Sequence, residues 1–135
     1  MGFEHVMPEF IKRCVLDETF TVQGDGTESR CFCYVSDVVN AILAIMENED
    51  GKNQIFNIGN PHETSINELI EILGKIHGAK IIPEYKNFSK PGTKRRVPDI
   101  TKLKKLGYTP SVTLDEGLKK TYDWYANYYR NKNHN

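Results

Sequence analysis

The sequence predicts an α/β fold, and three observations carry that prediction. Short apolar runs alternate with longer segments of helical period. Two capping boxes, Ser65-Ile66-Asn67-Glu68 and Thr113-Leu114-Asp115-Glu116, mark helix starts. Gly78 and Gly107 stand where the helices before them should stop. At 135 residues the chain can bury one ordinary core, so one domain over 1–130 and a frayed tail over 131–135 are expected.

In chain order, Val6–Leu16 carries Val6, Phe10, Ile11, Cys14 and Val15 at helical spacing, with Pro8 tolerated in the first turn. Phe20–Gln23 and Arg30–Val35 read as strands of a hairpin around Gly24-Asp25-Gly26. Ser36 is placed to cap a helix over Asp37–Glu47, with Val38, Val39, Ile42, Leu43 and Met46 on one face. Asp37 suits the positive end of that helix. Gln54–Ile58 reads as a short strand ending at Gly59-Asn60-Pro61, and the first capping box opens a helix to His77. Lys80–Tyr85 is a further strand, Asn87–Val97 a loop, and Asp99 a cap for a helix over Ile100–Leu106. The second box opens a last helix, Leu114–Tyr129, in which Tyr125, Tyr128 and Tyr129 make a core-facing stripe.

Composition narrows the function. A hydrophobic share of 39% argues against disorder. No apolar run nears the roughly 20 residues that cross a bilayer, and the polar start around Glu4, His5 and Glu9 does not resemble a secretory signal. Three cysteines without such a signal point to free thiols in a reducing compartment, so the cytoplasm is the expected location. Net charge is zero but unevenly spread: residues 1–70 hold 4 Lys+Arg against 12 Asp+Glu, and residues 71–135 hold 14 against 6. Between Lys86 and Lys105, eight cations face only Asp99. Such a run is either a solvated face or a footprint for phosphates. With Phe88 its only aromatic residue, it is poorly equipped to stack single-stranded bases.

Two stretches, Val22–Asp37 and Pro91–Asp99, set an arginine beside turn-forming backbone. Arg30 and Arg96 offer guanidinium forks that match phosphate oxygens two at a time and stay charged at any relevant pH. The other reading of each is a pair with a nearby carboxylate such as Asp25, Asp37 or Asp99. Gly24-Asp25-Gly26 is not a dinucleotide loop, because Ser29 stands at the third glycine position and a strand, not a helix, is expected next. Tyr128 and Lys132 match the Tyr-x-x-x-Lys spacing only at the chain's end. Cys31 and Cys33 alternate on one strand with no zinc set around them, and His5, His62, His77 and His134 are scattered.

Three ordered blocks carry a resemblance. GDGTESRCFCYVSDVVNAI, IFNIGNPHETSINELIEIL and KPGTKRRVPDITKLKKLGYTPSVTLDEGLKKTYDWY resemble, in that order, the C-terminal portion of extended short-chain dehydrogenases/reductases. Within that family they are closest to the NAD-dependent nucleotide-sugar epimerases, dehydratases and decarboxylases, from Met1 to about Tyr125. The resemblance implies a small mixed α/β substrate-binding portion lacking most of the Rossmann domain. It implies that Arg30 and Arg96 grip the substrate diphosphate, and that Asn57 reaches a sugar or phosphate oxygen or is structural. It places the nucleotide base beside Val6-Met7-Pro8 and the strand Phe20–Gln23, with Gln23 where some relatives carry tyrosine. NAD belongs to the complete parent enzyme and none is expected on this chain, which alone is expected to be inactive. The implied partners are a nucleotide-diphosphate sugar and either the missing Rossmann domain or a self-associating copy of the chain. A non-catalytic phosphate- or nucleic-acid-binding module using the Lys86–Lys105 patch is the alternative.

Overall fold

The computed structural model describes residues 5–87 and 93–132. Along them run α1 (Val6–Val15), β1 (Thr21–Gln23), β2 (Ser29–Cys31), α2 (Val35–Met46), a 3-10 turn (Glu49–Gly51), β3 (Glu63–Ser65), α3 (Ile66–His77), β4 (Glu84–Lys86), α4 (Thr101–Lys104) and α5 (Leu114–Lys132). This is a mixed α/β fold. The residues sort into two units, one within Met1–Glu28, Ser65–Lys94 and Leu118–Asn135, the other within Ser29–Thr64 and Arg95–Gly117.

Both capping boxes form. The Ser65 hydroxyl accepts the Glu68 N–H at 3.1 Å while the Glu68 carboxylate accepts the Ser65 N–H at 2.8 Å. Thr113 and Glu116 repeat the exchange at 3.3 and 3.1 Å. α3 ends at Gly78, whose φ of 84° is the left-handed conformation that closes a helix without a Cβ penalty. Asp99 is not the cap of α4: the helix covers only Thr101–Lys104 with Ile100 at its N-cap, and Asp99 stands one residue earlier, its carboxylate accepting the Thr101 N–H at 2.9 Å.

The first unit buries one face each of α1, α3 and α5. Phe10 and Ile11 of α1, Leu69 and Leu73 of α3, and Leu118 and Tyr122 of α5 are all buried. Phe20 joins them with its ring 4.5 Å from Phe10, and Pro8 is fully buried in the first turn of α1. The Tyr122 hydroxyl meets the His77 ring at 2.8 Å, so even the polar end of this core is satisfied. Tyr125 and Tyr129 are buried as the stripe predicts, but Tyr128 stays exposed, stacked 5.9 Å from the exposed Trp124.

Four further expectations fail here. The hairpin around Gly24–Gly26 does not form: β1 pairs in parallel with β4, and β2 pairs with β3 in a separate sheet. The turn docks instead on the start of α3, where the Asn67 N–H reaches the Gly26 carbonyl at 3.0 Å and its side-chain amide reaches the Asp25 carbonyl at 3.2 Å. A Cβ on Gly26 would stand 2.0 Å from Asn67 Oδ1, which explains the glycine. The second strand is shorter than Arg30–Val35, because α2 begins at Val35 and Ser36 is not its cap; Tyr34 holds that position and its side chain does not cap the helix. Lys80–Tyr85 contributes only its end to β4. Gln54–Ile58 belongs to no sheet, since no strand among the described residues lies beside it. The residues Phe88–Gly92 of the expected loop, and 133–135 of the expected tail, lie outside the described residues.

Candidate functional site

In the second unit an isolated parallel bridge pairs Ser29 with Arg95. Both residues turn to the same carboxylate. The Ser29 hydroxyl donates to Glu63 Oε1 at 2.7 Å, and Arg95 donates to both Glu63 oxygens at 2.6–3.0 Å. The Arg95 fork and the Ser29 hydroxyl hold the Glu63 carboxyl below its ordinary range. Arg95 is therefore neutralised by a partner 32 residues away, which nothing local to its own segment indicates.

Arg30 and Arg96 are the next residues along the same two segments. They flank the bridged pair on either segment. Adjacent strands lie about 4.8 Å apart, so the two guanidiniums start from neighbouring backbone. Arg30 is half-buried and donates to the Ser29 carbonyl at 2.7 Å. Arg96 is exposed and makes no hydrogen bond or ion pair among the described residues. The carboxylates that might have neutralised them are committed elsewhere. Asp25 accepts from the Thr27 hydroxyl and N–H at 2.6 and 3.0 Å. Asp99 takes the Thr101 N–H at 2.9 Å, and its pKa is held down by the Thr101 hydroxyl first and by that N–H second.

Asp37 is the third; it lies in the first turn of α2, as expected, and it does more than face the helix dipole. It is buried and accepts three hydrogen bonds, from the Ser111 hydroxyl at 2.7 Å, the Ser111 N–H at 3.1 Å and the Val112 N–H at 3.0 Å. Burial pushes its pKa up, but these donors outweigh burial and leave it lowered. Asp37 thus ties the start of α2 to the chain entering α5. Sequence spacing gave no sign of a contact across 74 residues.

Asn57 stands near the Arg96 segment. Its side-chain amide donates to the Asp99 carbonyl at 3.1 Å, which leaves its oxygen available. A Cβ on Gly59 would come within 2.9 Å of Pro98, so the Asn57–Gly59 turn and the Pro98–Asp99 backbone touch. Arg30, Arg96 and Asn57 thus belong to one unit. Pro8, Phe20 and Gln23 belong to the other: Pro8 and Phe20 put their side chains into its core, and Gln23 is exposed at the end of β1. Just beyond Gln23, an open cleft of 500 Å³ is lined by Gly24, Asp25, Thr27, Lys86 and Lys94, among others.

Burial disfavours the thiolate at all three cysteines. Burial pushes Cys14 up to about 11, and burial also raises Cys31 and Cys33. All three are free, and no group of metal-ligating side chains occurs among the described residues. No helix among them is long and apolar enough to cross a membrane.

Comparison with known proteins agrees with the resemblance read from the three blocks. The pattern of the NAD dependent epimerase/dehydratase family matches residues 3–59. A UDP-glucuronic acid decarboxylase of Arabidopsis thaliana is 40% identical over 114 residues, covering 84% of this chain and 33% of its own length. A UDP-glucuronate 4-epimerase of Thermodesulfobacterium geofontis is 37% identical over 117 residues, covering 85% and 36%. Among solved structures, the UDP-glucose 4-epimerase of Thermotoga maritima, determined with UDP-glucose, superposes with a TM-score of 0.84 at 38% identity, over 94% of this chain and 41% of that one. The UDP-glucuronic acid 4-epimerase of Bacillus cereus, determined with UDP-glucuronic acid and NAD, gives 0.87 at 28% identity, over 95% and 41%. The chain belongs to the NAD-dependent epimerase/dehydratase family of extended short-chain dehydrogenases/reductases, and it spans about a third to two-fifths of the length of these relatives.

Proposed function

We propose that this chain binds the nucleotide-diphosphate part of a sugar nucleotide, as the substrate-gripping part of an NAD-dependent epimerase, dehydratase or decarboxylase. The observation that carries the reading is the contrast at the Ser29–Arg95 bridge. Arg95 is neutralised by Glu63, whereas Arg30 and Arg96, next to the bridge on the same two segments, pair with no carboxylate among the described residues. Two forks from adjacent backbone suit the two phosphates of a diphosphate. Asn57, held by the Asp99 carbonyl, offers its oxygen to a sugar hydroxyl.

NAD, when bound by the rest of the family's fold, takes and returns the hydride. In this reading the present chain supplies only grip and orientation, and alone it turns over nothing. Its partners are the sugar nucleotide and either a Rossmann domain or a second copy. Free thiols held protonated suit a reducing compartment, the cytoplasm by expectation. The reading as a nucleic-acid module on Lys86–Lys105 is weakened. Arg95 is spent on Glu63, and Lys102 donates to Gln54 and to the Ile55 carbonyl while lying 4.8 Å from the Phe56 ring centre.

The test is an NMR titration of the chain with UDP, with inorganic phosphate and a short oligonucleotide as comparisons. UDP should shift the Arg30 and Arg96 side-chain resonances, and Arg96→Ala should weaken binding by about 2 kcal/mol through one lost charge-assisted contact. Lysine at position 96 should rescue only part, because a point charge does not fork. Binding of the alanine variant within twofold of the wild type would remove the assignment. Preference for the oligonucleotide, falling steeply with salt, would favour the other reading.

A further inference from the structure

One carboxylate reaches both arginine-bearing segments. Glu63 lies in β3, the sheet neighbour of β2, and Thr64 beside it is buried, so its backbone is held. It takes the Ser29 hydroxyl at 2.7 Å and three bonds from Arg95 at 2.6–3.0 Å. Ser29 precedes Arg30, whose guanidinium donates to the Ser29 carbonyl at 2.7 Å. Arg95 precedes Arg96, which makes no side-chain hydrogen bond or ion pair among the described residues. Each of the two arginines therefore follows directly on a residue that Glu63 holds.

The segment that carries Arg96 depends on this hold. Its backbone meets Ser29 in one isolated bridge and in no continuous ladder. Past Arg95, the next polar tie among the described residues is the Asn57 amide on the Asp99 carbonyl. A segment with so few backbone bonds opens at little cost. The Arg95–Glu63 fork adds direction that a single bridge lacks, because two parallel bonds fix a guanidinium's plane as well as its distance. The Arg95 side chain is 69% exposed, and exposed ion pairs contribute little to global stability. What remains for the fork to supply is local order, and a ligand binds more tightly to a segment it does not have to order itself.

We propose that Glu63 is a positioning residue for the diphosphate grip: by holding Ser29 and Arg95 together, it fixes the spacing at which Arg30 and Arg96 meet the ligand. The inference rests on the proposed function and deepens it, because it names the residue that prepares the two forks. Its sign separates it from a charge effect. A carboxylate repels a nearby diphosphate, so neutralising Glu63 would tighten binding if charge alone mattered. Acting by placement, Glu63 gives the opposite result, and its neutralisation loosens binding.

The test is a double-mutant cycle on the 135-residue chain, with UDP as the ligand and NMR titration as the measure. Glu63→Gln should raise the Kd for UDP about fivefold, and by less than about twofold in an Arg96→Ala background, where no fork is left at that position to place. A general loss of structure would act equally in both backgrounds. Without ligand, the order parameter of the Arg96 amide should fall below about 0.6 in Glu63→Gln, while the urea midpoint stays that of the wild type. Should Glu63→Gln fail to fold, Ser29→Ala removes one donor and no charge, and it should give the same cycle with a smaller factor. Tighter or unchanged UDP binding by Glu63→Gln, a loss that persists in Arg96→Ala, or an unaltered Arg96 amide would each overturn the inference while UDP binding by the wild type stands. A wild type that does not bind UDP overturns the proposed function instead, and the Arg96 amide then decides alone whether Glu63 holds the segment.

Discussion

The two units of this chain handle their apolar surface in opposite ways. The unit built on α1, α3 and α5 turns its large apolar side chains inward, down to Ile11, Leu69, Leu73 and Leu118 at near-zero exposure. The unit built on α2 buries a smaller cluster around Ala41 and Leu103 and leaves five apolar residues of its longest helix in solvent. Composition does not explain the difference, because α2 is one of the most apolar helices of the chain. The difference lies in what surrounds each helix. α3 packs on other helices and is capped at both ends, whereas α2 has one extended segment and a short helix beside it. The unit that holds Arg30 and Arg96 is thus the one with the open apolar face, where five exposed apolar residues share one helix.

Equal truncations on the two sides should expose that contrast most strongly. Leu73→Ala removes a fully buried side chain from the closed unit and should cost about 3 kcal/mol. Leu43→Ala on the open stripe should change stability by less than about 0.5 kcal/mol, as exposed substitutions do. Urea unfolding of the two variants measures both. A loss at Leu43 comparable to that at Leu73 would mean the stripe is covered in solution, and the comparison would collapse.

The polar tie that compensates the open unit comes next in size. Asp37→Asn keeps the shape but discards the charge that three donors address, and about 2 kcal/mol of stability should go with it. The sign of its pH dependence follows from the lowered pKa. The contribution is complete above the unfolded carboxyl value near pH 4 and disappears as pH falls through the lower folded value. Unfolding midpoints between pH 6 and pH 2.5 should therefore fall more steeply for the wild type than for the variant, and parallel curves would deny Asp37 this role.

Legibility in the sequence follows the range of the interaction. Helices with local signals were readable: the boxes at Ser65 and Thr113 and the stop at Gly78 depend on residues within four positions. Strand pairing was not, because nothing within Val22–Asp37 reveals that β1 pairs with Glu84–Lys86 or that Gly26 must clear Asn67. Arg30 and Arg96 were identifiable as residue types suited to phosphate, but their adjacency depends on a bridge spanning 29 to 95. Asp37 and Glu63 were missed as organisers for the same reason. Gln54–Ile58 shows the converse case, a strand-like sequence whose ladder partner is not among the described residues.

The smallest effect concerns the closed unit alone. Cys14 faces that core, and burial raises its thiol to about 11 from an ordinary value of 9.0. A neutral thiol is favoured in the folded chain, so its contribution to stability is complete below pH 9 and is lost as pH rises towards 11. Tyrosines and lysines also titrate in that range, so the test is a difference. Cys14→Ala should flatten the alkaline fall in unfolding midpoint relative to the wild type, while Cys31→Ala, at a more exposed thiol, should flatten it less. A disulfide-exchange reagent gives the same ordering kinetically, with Cys14 reacting slowest in the native chain and at an ordinary rate in urea. If Cys14 instead reacted as fast as Cys31 at pH 8, the α1 face would be opening to water, and the closed unit would differ from the open one only in degree.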